Sequence, residues 1–181
     1  PLQTFASAEQ AEALVPGSYF AVEGDPAAIP VARRLVKDLH GIPMEIRPDL
    51  KILYHAAAVA ASNYLVALVD MALEFNRIAG VSPQISFPAL TPLIQGTLRN
   101  IKDQGIPEAL TGPIARSDVD TVAGHLASIQ RHAPHFLPLY QALGRHTVEL
   151  AARKGTITQR TAARLRIVLA GHSENPKKEG E

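Results

Sequence analysis

The stretch LYHAAAVAASNYLVAL, residues 53–68, constrains the fold more than any other part of the sequence. Alanine and leucine supply most of it, and neither proline nor glycine interrupts it, so nearly every residue favours helix. It lies within a longer apolar tract, residues 56–73, broken only by Ser62, Asn63 and Asp70. A helix of this composition is expected to be buried on nearly every side. Its polar residues therefore need a reason. At about 100° per residue, Lys51, His55, Ser62, Asn63 and Asp70 fall within about 120° of arc, while Leu53, Ala57, Ala60, Ala61, Tyr64, Leu68 and Met71 occupy the rest. One explanation is that His55 and Asn63 are core polar groups satisfied by neighbouring backbone. The other is functional: a rigid, otherwise apolar helix bearing a stripe of donors and an imidazole can set acid and amide groups against a bound molecule.

From residue 49 onward the chain is rich in helix formers, and proline or glycine punctuation at 80–92, 105–113, 134 and 155 divides it. Five helices are expected, at residues 49–79, 88–104, 118–131, 134–154 and 158–170. The first part of the chain reads differently. A short helical pattern from Ser7 to Val15 stops at Pro16 and Gly17, and SYFAV then alternates as a strand does. Asp25 is placed as an N-cap, Pro26 at the first helical position, and Ile29, Ala32, Leu35, Val36 and Leu39 on one stripe, with Gly41 at the exit. IPMEI supplies a second strand, so residues 18–46 read as the strand-helix-strand unit of a parallel sheet. A parallel pair needs further strands and cover on both faces. Nothing later in the sequence looks like strand, so the chain reads as the C-terminal portion of a longer protein. The expected organisation is an α/β remnant at 1–47, a helical domain at 48–170, and a loose polar tail at 171–181, the whole being mainly α.

Composition excludes several roles. Eighteen basic residues balance seventeen acidic ones and are scattered along the chain, which leaves no electrostatic footprint for nucleic acid. Cysteine is absent, so no disulfide framework or thiolate metal site can form, and a reducing cytoplasm suits the chain. There is no signal-peptide pattern, and the polar interruptions of the long apolar tract argue against a membrane span. A cytoplasmic protein is expected.

A second stretch, EALTGPIARSDVDTVAGHL, also bears on function. Thr111, Gly112 and Pro113 form a turn, Ser117 or Asp118 can cap a helix beginning at Val119, and Arg116 precedes that helix's electropositive end. Such a turn can receive a carboxylate or phosphate, or it can be an ordinary capped helix entry. His125, His132, His135 and His146 are too irregularly spaced for a metal set and read as surface histidines. Arg160, Arg164 and Arg166 read as a solvated helix face.

Together PLQTFAS, YFAVEGD, LYHAAAVAASNYLVAL and ALTGPIARSD, in this order and spacing, resemble the Rossmann-like oxidoreductase family that ends in domain of unknown function 2520. The resemblance covers nearly the whole chain up to about residue 170. It implies an N-terminal dinucleotide-binding domain whose glycine-rich turn has no counterpart in this sequence. PLQTF would follow the fifth strand of that domain's sheet, with Gln3 and Thr4 against the cofactor, NADP in preference to NAD. The family is similar in layout to ketopantoate reductase, pyrroline-5-carboxylate reductase and 6-phosphogluconate dehydrogenase. The resemblance thus implies a helical domain of the 6-phosphogluconate dehydrogenase C-terminal type, preceded by the last strand-helix-strand portion of a Rossmann-type domain. It also implies a homodimer through the helical domain.

The implied activity is reduction of a small 2-oxo acid or imine, with a small-molecule carboxylate as substrate and the fragment alone inactive. Asn63 matches an asparagine on the first long helix of ketopantoate reductase, His55 stands where a lysine would be, and Val59 occupies the place of a second asparagine. His55 is then the expected general acid, Lys51 its reserve and Asn63 the orienting donor, with Ser62, Thr111, Gly112 and Arg116 contacting substrate. The Val59 departure equally suits a non-catalytic dimerisation or ligand-sensing module on the same fold.

Overall fold

A computed structural model describes residues 1–5 and 7–171. The tail expected at 171–181 therefore lies outside the described residues beyond Gly171. Among the described residues the chain is mainly helical, with one two-stranded parallel sheet. It divides into two compact units between Asp70 and Met71, inside a helix.

Unit 1 opens with α1, Ala8–Leu14, whose cap Ser7 accepts from the Gln10 amide at 3.3 Å. Then come β1, Tyr19–Val22, α2, Ile29–Asp38, and β2, Ile42–Glu45. The strands are parallel, with Tyr19 opposite Ile42 and Val22 opposite Glu45. Buried Val36 of α2 and Val22 of β1 supply the apolar contact under this unit. The first helical turn differs from expectation. Asp25 accepts from Ala27 N at 2.8 Å in the turn ahead of the helix, but the N-cap is Ala28, without a side-chain bond, and regular helix begins at Ile29, so neither Asp25 nor Pro26 holds its expected place. At the helix exit the left-handed residue is His40, with φ 56°, rather than Gly41. Gly41 is required for another reason: a Cβ there would stand 2.6 Å from the Phe20 ring.

After a 3-10 turn, Pro48–Leu50, the long helix expected at 49–79 is divided into α3, Lys51–Ala61, and α4, Asn63–Ile78. The interruption is Ser62, at φ −116° and ψ −68°. Its amide still reaches Ala58 O at 3.0 Å, and its carbonyl still accepts from Val66 N at 3.3 Å, so the break is one residue wide. Adjacent serine and asparagine compete with the helical ladder for backbone partners, which explains its position.

The expected burial is not met within the chain. α3 buries no residue, leaving Ile52 82% and Leu53 66% exposed, and of α4 only Met71 is buried. Two short helices and two four-residue strands give unit 1 too little surface to cover α3. By length and composition the run Pro48–Ile78, which contains an 18-residue window of mean hydropathy 1.6, could cross a membrane. An apolar protein partner would satisfy the same composition.

Unit 2 contains α5, Pro83–Gln104, α6, Val119–His132, a 3-10 turn Pro134–Phe136, α7, Leu137–Lys154, and α8, Gln159–Leu169. α5 starts ahead of the expected residue 88 and carries Pro88 and Pro92 inside it. Pro83 at the first turn provides a start signal that outweighs these later prolines, which remove single ladder bonds without ending the helix. The core joins α6, α7 and α8 through Val122, Val148, Ala151, Ala162, Leu165 and Leu169, all at most 2% exposed. On α5 only Ser86 is buried, where it accepts from Asn76 Nδ2 at 3.0 Å.

Candidate functional site

In unit 1 one cavity of about 650 Å³ gathers Gln3, Thr4, His55, Ser62 and Asn63. The N-terminal segment is held beside β1, because Leu2 N–H donates to Tyr19 O at 2.6 Å. Thr4 N–H turns back onto Gln3 Oε1 at 2.9 Å. Helix α3 contributes His55 and a wall of Tyr54, Ala58 and Val59, and the interruption between α3 and α4 contributes Ser62 and Asn63. His55, Ser62 and Asn63 are all exposed, so the polar stripe faces open space rather than a dry core. Its chemistry is an imidazole, the Thr4 and Ser62 hydroxyls, the Tyr54 phenol and two carboxamides around a partly apolar wall. Lys51 is not among the lining residues; its ammonium pairs with the Glu23 carboxylate.

Thr111, Gly112 and Arg116 belong to unit 2. Gly112 has φ 92°, a conformation that side chains disfavour. Buried Ile114 and Ala115 fix the loop that follows. Asp118, not Ser117, caps α6: one carboxylate oxygen accepts from Thr121 N at 3.0 Å and the other from Thr121 Oγ1 at 2.7 Å. These two bonds, hydroxyl first, hold the Asp118 carboxyl below the usual aspartate value, and the nearby Arg116 charge adds to them.

Three amides at the end of this loop are already engaged. Arg116 N donates to Gly112 O and Pro113 O, Ser117 N to Ile114 O at 3.1 Å, and Asp118 N to Pro113 O at 2.9 Å. At the helix entry itself the Arg116, Ser117 and Asp118 amides are therefore not free to receive an anion. What it can offer a carboxylate is the exposed Arg116 guanidinium and the Thr111 hydroxyl, which borders a cavity of about 220 Å³ with Pro113 and Thr147.

Sequence reasoning missed one residue here. Lys154, at the end of α7, donates from Nζ to Glu108 O at 2.7 Å and Leu110 O at 2.8 Å, tying down the approach to Thr111. No local pattern could have revealed it, since donor and acceptors lie in distant parts of the chain. Among the described residues no three His, Cys, Asp or Glu side chains come together as a metal set.

No curated protein and no solved structure matches the chain. A family model described as Domain of unknown function (DUF2520) matches residues 18–147, which takes in the strand-helix-strand unit, both halves of the long helical run and the Thr111–Asp118 loop. The chain belongs to the DUF2520 family.

Proposed function

We propose that this chain is the substrate and dimerisation part of an NADP-dependent oxidoreductase that reduces a small 2-oxo acid or imine. The observation that carries the reading is the unit 1 cavity, where Gln3 and Thr4 meet His55, Ser62 and Asn63. Its volume lies in the range of small-molecule and cofactor sites. The donor set suits a nicotinamide end: Gln3 and Thr4 supply an amide and a hydroxyl beside an apolar wall. Phosphates would need a glycine-rich turn, which would come from a separate dinucleotide-binding part. When bound, the cofactor supplies the hydride.

His55 is the proton donor to the reduced carbonyl or imine, a role for which imidazole is suited near neutral pH. Asn63 orients the substrate from about two turns further along, just past the break at Ser62, so the two groups address different ends of the site. Lys51 is the weaker choice of acid because Glu23 engages it. Arg116 is proposed to anchor the substrate carboxylate. The proposed homodimer covers the apolar faces that one chain leaves open, chiefly Ile52, Leu53, Tyr64 and Val66, together with Ile85 and Leu93 of α5.

The test uses the complete polypeptide, including its dinucleotide-binding part. NADPH oxidation is followed against a panel of small 2-oxo acids and cyclic imines. His55→Ala should lower kcat and kcat/KM together, whereas Arg116→Ala should mainly raise KM. Tight NADPH binding with no turnover of any panel member would instead identify a ligand-sensing module. Light scattering that gives a monomer at high concentration would remove the dimer.

A further inference from the structure

A different cavity lies wholly within unit 2, among α4, α6 and α7, and shares no residue with the proposed reductase site. It is open to solvent and has a volume of about 260 Å³. An apolar cavity of roughly 150 Å³ already accommodates benzene, so a substituted aromatic ring fits here. Phe75, Ile78 and Ile129 provide the apolar surface, and His125, Ser128 and His132 form a polar wall. Spacings of three and seven residues place these three on one face of α6.

The sequence contains only five phenylalanines and four tyrosines, yet several gather at this place. Phe75 meets Phe136 edge-on at 5.8 Å and Tyr140 at 6.5 Å, and Tyr140 stands edge-on to His125 at 6.1 Å. Aromatic walls of this kind favour a planar ligand through edge and face contacts.

The polar wall sets the ligand's charge. His125 Nδ1 lies 2.7 Å from the Tyr140 hydroxyl. Burial raises the Tyr140 pKa, and the protonated phenol either donates to Nδ1 or accepts from it, according to the imidazole tautomer. The wall draws its donors from the His125 and His132 imidazoles and the Ser128 hydroxyl, with no carboxylate in the lining. The neighbouring acids are occupied: Asp118 caps Thr121, and Glu74 pairs with Arg77. The C-terminal half of α6 carries the negative end of the helix dipole, and the lining holds no arginine or lysine. A singly charged acceptor is therefore favoured over a phosphate.

We propose that this cavity is a binding site for a small aromatic carboxylate, its ring against Phe75, Ile78 and Ile129 and its carboxylate against His125 and Ser128. The probe is benzoate, titrated into the whole chain while the methyl resonances of Ile78 and Ile129 are followed by NMR. Saturable shifts at those methyls are expected, weakened about fivefold or more for neutral benzamide, as loss of one charge-assisted hydrogen bond implies. Ser128→Trp, at an exposed position, should fill the mouth and abolish saturation. His125→Gln serves if that variant fails to fold, and should weaken benzoate about fivefold while leaving benzamide unchanged. The proposal is overturned by the absence of saturation up to about 10 mM, as would follow if a second copy of the chain already filled the cavity. Equal binding of benzamide, or an unaltered response in the folded variant, overturns it as well.

Discussion

Replacing Gly144 by alanine tests the α7 and α8 packing that supports unit 2. Gly144 is buried within α7, and a Cβ built on it would lie 2.5 Å from Leu169 Cδ2 and 3.2 Å from Cδ1. Leu169 is 0% exposed, so its isobutyl end has no solvent into which to swing. Glycine to alanine in a helix gains about 1 kcal/mol in propensity, while forcing a methyl into a filled core costs about 1–3 kcal/mol. A net loss of about 1 kcal/mol is expected. Gly124 of α6 is the control: no heavy atom lies within 4 Å of its added Cβ, so Gly124→Ala should gain about 0.5–1 kcal/mol. Urea denaturation followed by circular dichroism measures both. In a Leu169→Ala background, itself costing about 2–5 kcal/mol, the clash is gone and Gly144→Ala should become stabilising, giving a coupling of about 2 kcal/mol. If Gly144→Ala stabilises the native chain as much as Gly124→Ala does, the packing argument is wrong.

Three other outcomes are expected. Because the Asp118 carboxyl is held low by its bonds to Thr121, its stabilisation is complete above the unfolded aspartate pKa and disappears as pH falls through the lower folded value. Any stability advantage of the native chain over Asp118→Ala should therefore shrink across that acid window, as acid titration of both proteins would read out; a gap that widens on acidification would contradict the sign. Lys154→Met removes two charge-assisted bonds to backbone carbonyls and should cost about 1.5–3 kcal/mol, with faster hydrogen exchange around residues 109–116 as the local signature. Thr158 caps α8 by accepting from Thr161 N at 3.1 Å, so Thr158→Ala should lower stability by about 1 kcal/mol in the same denaturation assay.

Much of the helical layout was legible because its signals are local: Asp118 as a cap, the Gly155 punctuation at the end of α7, and the alternating strand SYFAV. The interruption at Ser62 was not, since one residue leaving the helical region hardly disturbs a periodic pattern. Within the candidate site, the stripe of His55, Ser62 and Asn63 could be read from a helical wheel, whereas its meeting with Gln3 and Thr4 depends on the Leu2 to Tyr19 hydrogen bond, which no periodicity encodes. The Thr111–Asp118 loop was legible as a turn and a cap. That the Arg116, Ser117 and Asp118 amides bond within the loop was not, because the acceptors are carbonyls, identical in every residue.

The largest divergence between sequence and structure concerns α3, and it has a physical reading. Apolar composition records burial in whatever assembly the chain works in, while the exposure of Ile52 and Leu53 records only what this one chain supplies. An isolated surface helix has no reason to carry alanine and leucine on all but one stripe, because exposed apolar faces invite association. The same helix bears His55 and leads directly into Ser62 and Asn63, where the cavity opens. A partner that covered the apolar part would therefore stiffen the element holding the polar groups. In the proposed enzyme this makes assembly and site geometry a single requirement: Leu53→Asp, which touches neither cofactor nor substrate, should lower both the dimer fraction in light scattering and kcat. A monomeric variant retaining full turnover would separate the two.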